Sequence, residues 1–197
     1  ENLDLPYHIM QTHFISENCT AIAIGMGLGK YETEEIRKIL NKNVAKIIDA
    51  DLFYDELICE VLEQELVLTP HPKEFISLLK LCNIANITID ELQNRFLYVE
   101  KFCEKYPKVV LLLKGANVII AQDKKIFVNT FGSAVLSKGG SGDVLSGLIG
   151  SLLAQRYKPL DATISASLAH TLAARNYEKS NYSLIPSDLI EEVRKLW

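Results

Sequence analysis

The chain has 197 residues, 48% of them hydrophobic and 23% charged, with a formal net charge of −4. A mildly acidic chain with no basic block argues against nucleic acid or an anionic membrane surface as its main partner, and no apolar run reaches the ~20 residues of a membrane helix. Cys19, Cys59, Cys82 and Cys103 form no C-x-x-C pair, so buried thiols in a cytoplasmic globular protein are expected rather than a disulfide framework or a zinc site. One domain of this length can bury a core without staples. Glu1 to Asn18 has no initiator Met and no clear strand or helix period, and reads as a segment entered mid-domain, part of something longer.

Thr20 to Ile24 is a short apolar run ending at Gly25 and predicts a buried strand. A helix is expected over Glu32 to Asn41, with Ile36, Ile39 and Leu40 on one face, and a strand over Val44 to Ile48, closed by Asp49-Ala50-Asp51. Glu56 to Glu63 is weakly helical. Leu66 to Thr69 is the third strand, stopped by Pro70-His71-Pro72, and Lys73 to Leu81 the next helix. Thr88 with Glu91 has capping-box spacing and predicts a long helix running to about Tyr106. Lys108 to Lys114 is the most strand-like run; Val118 to Ala121 and Ile126 to Asn129 pair as a hairpin around Asp123-Lys124-Lys125. Helices from Val144, from Pro159 to about Tyr177, and from Ser187 complete the chain.

Strands alternating with helices predict an α/β sandwich with a mostly parallel sheet, whose ligands bind beyond the carboxyl ends of the strands. Gly25–Gly29, Asp49–Asp51, Thr69–Glu74, Lys114-Gly115 and Asn129–Asp143 all fall at that end. The centre of this pattern is Gly139-Gly140-Ser141-Gly142-Asp143. It precedes a helix whose Val144, Leu145, Leu148, Ile149, Leu152 and Leu153 mark a buried face. Glycines there expose the first N–H groups of the helix, and with the helix dipole they make an anion site. Asp143 stands at its mouth, either as a helix cap or as a group that handles a proton. Gly25-x-Gly27-x-Gly29 with Asp49 about twenty residues on suggests a dinucleotide fingerprint, but Lys30 occupies the wrong place for it. No G-x-x-x-x-G-K-[ST] is present. Lys114 is either a point charge for phosphate or a solvated strand end. His71, fixed between two prolines, reads as a binding group. His8, His13 and His170 show no ligand spacing with one another.

Together these motifs resemble the ADP/ATP-dependent NAD(P)H-hydrate dehydratases of the ribokinase-like superfamily. Gly25–Gly29, Asp49–Asp51, Leu68–Glu74, Leu113–Ala116 and Gly139–Gly147 occur in that family's order, between about Cys19 and Ala174. The family usually has Pro at the position of Met26, Gly at Lys73 and Thr at Val118. The resemblance implies a three-layer ribokinase-like domain over 1–197 that lacks its N-terminal strands and helices. It also implies repair of 6-hydroxylated NADH or NADPH (NADHX or NADPHX) at the expense of ADP or ATP, with Mg2+ expected and its ligands unknown. Matching positions make Gly27, His71 and Asp143 the contacts of the hydrated nucleotide. They make Lys114, Gly115, Ala116, Asn117, Val118, Gly139, Gly140, Ser141 and Gly142 those of the adenine nucleotide, and Asp143 the base. A homo-oligomer, a tetramer, and fusion to an NAD(P)HX epimerase domain are further implications. The competing readings are a vitamin-precursor kinase of the same superfamily, an NAD-dependent dehydrogenase, and a non-catalytic nucleotide-binding module.

Overall fold

The computed structural model describes residues 9–178, 180 and 182–196. Strands β1 (Ala21–Ile24), β2 (Ala45–Ile48), β3 (Val67–Leu68), β4 (Val110–Leu113), β5 (Val118–Gln122) and β6 (Lys125–Asn129) form one six-stranded sheet in the order β1-β2-β3-β4-β5-β6. Strands β1 to β4 run parallel, with Ala21 opposite Ala45, Ile47 opposite Val67 and Val67 opposite Val110. The β5–β6 hairpin is antiparallel and joins through Leu111 opposite Ala121.

Side chains alternate across a strand, so each strand feeds two cores. Ile22, Ile48, Leu68, Leu111 and Leu113 pack with Ile36, Leu52, Phe75, Leu78 and Phe102 on one face. Ile47, Val67, Val110 and Leu112 pack with Leu145, Ile149, Leu153, Ala162 and Ala166 on the other. Parallel strands laid down in unbroken sequence by right-handed crossovers place every crossing segment on the same side. Accordingly α1 (Thr33–Leu40), α2 (Pro72–Leu81) and α3 (Arg95–Lys105) form one outer layer. The opposite face is left for α4 (Ser141–Ala154) and α5 (Pro159–Asn176); α6 (Pro186–Arg194) closes a small third cluster through Leu189 against Ala173 and Val144. This is the three-layer, mostly parallel sandwich expected.

Three local expectations differ. The weak helix expected over 56–63 is a 3₁₀ turn, Glu56–Glu60, preceded by a second one, Ala50–Tyr54; the carboxylates of Asp49 and Asp55 accept the amides of Ala50 and Leu57. Thr88 and Glu91 do exchange capping bonds, with Thr88 N–H donating to Glu91 Oε2 at 2.8 Å. They open only a short 3₁₀ turn, Glu91–Asn94, because Asn94 leaves the helical region at ψ 49°, and the α-helix starts at Arg95. Lys125 belongs to β6 rather than to the turn: Gln122 and Lys125 pair, and Asp123 takes the positive φ of 51° that a tight turn needs. Residues 9–18 hold neither helix nor strand, and His8 lies outside the described residues. Among the described residues no helix is long and apolar enough to cross a membrane. All four cysteines are free, with Cys82 and Cys103 buried.

Candidate active site

The carboxyl ends of the parallel strands open into a cleft of about 750 Å³. Glycine 140 sets its floor. At φ 81° it is left-handed, the N-cap of α4, and it turns the chain so that the helix axis begins at the cleft. A side chain there would also meet Pro186 Cγ at 2.6 Å. The amides of Gly139, Gly140, Gly142 and Asp143 donate to no acceptor among the described residues, whereas Ser141 N–H is spent on Lys138 O at 3.3 Å. Unpaired amides at a helix N-terminus attract an anion. The expected anion site is therefore present, with Ser141's amide excluded from it. Asp143 lines the same cleft, is exposed, and makes no hydrogen bond among the described residues. It does not cap its helix, so that alternative for Asp143 falls.

Lys114 directly follows β4 with its ammonium 2.7 Å from Asp49 Oδ1, and Ser146 of α4 donates to Asp49 Oδ2 at 2.8 Å. Lysine 114 is thus no solvated strand end. Asp49 is 1% exposed and cannot serve as the ribose acceptor of a dinucleotide fingerprint, because all its contacts are internal. Its neighbour Asp51 instead takes Leu28 N–H at 2.9 Å and ties down the glycine loop after β1.

His71 turns out to be the N-cap of α2. Its Nδ1 accepts the N–H groups of Lys73 and Glu74 at 3.1 and 3.2 Å, and Nε2 lies 3.1 Å from Glu74 Oε1. Glu74 Oε2 in turn accepts His71 N–H at 2.7 Å. Both ring nitrogens are occupied, so the part of His71 left for a ligand is the ring itself, which lines the cleft with 44% of the side chain exposed. Burial pushes Glu74 up to about 7, against the pull of the His71 amide and Lys114.

His170, on α5, was not signalled by spacing to another histidine. It lines the cleft with Ser167 and Thr171, and its Nε2 lies 2.9 Å from Ser141 O, which makes Nε2 the protonated nitrogen. Burial holds its pKa down to about 4. Asn129, also buried, donates to Ser167 Oγ and Thr171 Oγ1 and binds this part of α5 to the end of β6. The polar Ser167-His170-Thr171 set, at helical spacing on an otherwise apolar helix, was the legible signal for this wall.

The two perturbed groups pull stability in opposite directions with pH. Glu74 holds its proton more tightly when folded than at its ordinary 4.5, so its contribution to stability falls as pH rises from there to about 7. His170 binds its proton less tightly when folded than at its ordinary 6.5, so its contribution falls as pH drops from there to about 4. Glu74→Gln keeps an acceptor for His71 N–H and removes the titration; it also gives up the contact between Oε1 and His71 Nε2, a loss that does not follow the titration of Glu74. Chemical denaturation across this range should show the variant gaining on the wild type as pH rises, by at most about 3 kcal/mol. Parallel curves would mean that Glu74 is ionised throughout.

The expected site residues therefore fall into two groups. His71, Lys114, Gly115, Ala116, Val118, Gly140, Ser141, Gly142 and Asp143 line one cleft. Gly27, Asn117 and Gly139 do not line it and are exposed. Ala116, Val118, Ala134, Leu136 and Leu145 give the cleft its apolar lining, suited to a flat base, while Lys114 and the free amides suit phosphate.

The fold, a mostly parallel sheet with a glycine turn feeding a helix N-terminus beside a strand-end lysine, is ribokinase-like by comparison with solved structures. A ribokinase-like superfamily protein of Enterococcus faecalis shares the fold with a TM-score of 0.71 and 26% identity, over 90% of this chain and 62% of that one. The family model described as NAD(P)H-hydrate dehydratase matches residues 3–195, and the chain belongs to that family. A bifunctional NAD(P)H-hydrate repair enzyme Nnr of Helicobacter pylori is 51% identical over 180 residues, covering 90% of this chain and 37% of that protein. The ADP/ATP-dependent NAD(P)H-hydrate dehydratase of Bacillus subtilis, co-crystallised with ATP/Mg2+, matches with a TM-score of 0.73 and 28% identity, over 90% of this chain and 64% of that one. The chain thus spans about a third of the bifunctional relative and under two thirds of the Bacillus dehydratase.

Proposed function

We propose that this chain carries the dehydratase that returns 6-hydroxylated NADH or NADPH to its reduced form, using ADP (or ATP) and releasing AMP (or ADP) and phosphate. The observation that carries this reading is one cleft, in a member of this family, where an uncapped carboxylate, a fixed lysine and unpaired helix amides meet.

Hydroxide is a poor leaving group, so the ring hydroxyl must first be activated. Asp143 takes the hydroxyl proton while that oxygen attacks the terminal phosphoryl group of the nucleotide. The bond from that phosphorus to the bridging oxygen breaks, and AMP or ADP departs. Lys114 and the free amides of Gly140 and Gly142 stabilise the charge spread over the transferring group. The ring nitrogen's electron pair then expels phosphate, and loss of the adjacent ring proton restores the dihydronicotinamide. The chain supplies positioning and electrostatics rather than covalent chemistry.

In this assignment His71 meets the hydrated nucleotide with its ring, in the cleft that Asp143 also lines, and Gly27 meets it from the loop after β1. Lys114, Gly115, Ala116, Asn117, Val118 and the Gly139–Gly142 turn hold the adenine nucleotide. Magnesium would neutralise phosphate charge. Among the described residues no group of three or more His, Cys, Asp or Glu could hold a metal. That fits an ion carried on phosphates and waters. From the family resemblance we also assign the protein a homotetrameric, cytoplasmic state. From the length of its relatives we assign the chain a place in a longer protein joined to an NAD(P)HX epimerase domain.

Phosphorus NMR of the full-length protein with hydrated NADH and ADP tests the reaction class. The dehydratase yields AMP and inorganic phosphate in equal amounts. A stable phosphoester in place of inorganic phosphate would make the protein a small-molecule kinase.

A further inference from the structure

We propose that Asp49 is a positioning residue of the nucleotide site, one that fixes the Lys114 ammonium beneath the N-terminus of α4 so that lysine and helix amides face a single anion. The identity of that anion, the terminal phosphate of a nucleoside diphosphate, rests on the dehydratase reading above.

Asp49 lies at the end of β2, Lys114 at the end of β4, and Ser146 in the second turn of α4. Both carboxylate oxygens are engaged: Oδ1 takes Ala50 N–H at 2.9 Å and Lys114 Nζ at 2.7 Å, and Oδ2 takes Ser146 Oγ at 2.8 Å. One buried group thus joins the sheet to the helix and holds the cation between them. The backbone around Asp49 is fixed as well, with its N–H on Ile24 O at 2.9 Å and Asp51 N–H on Gly25 O at 3.1 Å.

The cation's place is set by what is missing from α4. A Cβ on Gly142 would lie 3.3 Å from Lys114 Nζ, so the ammonium rests against bare helix backbone whose own N–H is unpaired. An ammonium has three donors, and Asp49 is its one acceptor among the described residues. The remaining donors belong to a side chain that is 23% exposed and lines the cleft. A flexible lysine ordinarily loses rotamer freedom on meeting phosphate; one already held by Asp49 has lost it before the ligand arrives.

A double-mutant cycle on ADP affinity, measured by titration calorimetry in the full-length protein, tests this role. Asp49→Asn should weaken ADP binding about tenfold, the size expected for directly coupled residues. In a Lys114→Met background the same change should have no effect, since Asp49 acts only through the lysine. Ser146→Ala, which leaves the ion pair intact but frees Oδ2, should weaken binding about threefold and also fall silent without Lys114. It keeps the test decisive if Asp49→Asn does not fold. Equal losses with and without Lys114, or ADP binding as tight as wild type in Asp49→Asn, would overturn the proposal while leaving the dehydratase reading standing. No ADP binding by the wild type would remove both.

Discussion

Asp143→Asn should lower dehydration of hydrated NADH by several orders of magnitude, toward the upper end of the about 10²–10⁴-fold that general acid–base catalysis contributes. Asparagine has the shape of aspartate and cannot accept the hydroxyl proton. The substitution should be silent in the fold, because the side chain is exposed and makes no hydrogen bond among the described residues. Nucleotide affinity should hold or rise slightly, since a carboxylate beside bound phosphate repels it. The diagnostic result is therefore a split: turnover lost, ADP affinity and melting temperature kept. Parallel loss of all three would make Asp143 a structural residue, and retained turnover would remove it from the mechanism.

Gly25→Ala should be the most damaging single methyl group in the chain. Gly25 has φ 120°, a region closed to side chains, and a Cβ there would lie 1.8 Å from Asp49 O. The obstacle is backbone, which cannot swing aside as a side chain can. Relief requires β1 and β2 to part at the point where Asp49 begins its contacts with Lys114 and Ser146. A loss of roughly 3–5 kcal/mol, or about 10 °C in melting temperature for a domain of this length, is expected. ADP affinity should fall with it. The contrasting control is Gly27→Ala, also at positive φ (60°) but with open space around the added methyl. It should cost only the backbone strain, roughly 1–2 kcal/mol. Equal effects at the two positions would mean that the close approach to Asp49 is not what constrains Gly25.

Much of the fold was legible because it rests on local signals. Short apolar runs ending in glycine or proline marked β1, β3 and β4, and the i, i+4 pattern of Leu145, Ile149 and Leu153 marked the buried face of α4. The glycine turn before α4 announced its anion site for the same reason: the conformation belongs to the residues themselves. What escaped depended on distant partners. Nothing within a window around Asp49 reports that it will meet a lysine 65 residues on and a serine 97 residues on. His71 was legible as a fixed residue, and its cap bonds to Glu74 could have been anticipated from the capping-box spacing alone. His170 was missed because its partner, Ser141, lies in a different helix. Gly27 and Asn117 are exposed outside the cleft's lining, so their assignment to the ligands rests on matching positions alone.

The most direct test of the central claim is recovery of the near-ultraviolet absorbance of NADH from its hydrated form, followed with the full-length protein in the presence and absence of ADP. Recovery that needs the nucleotide, with one inorganic phosphate released per NADH restored, is the predicted result. Nucleotide-bound, folded protein that restores no absorbance would contradict the account.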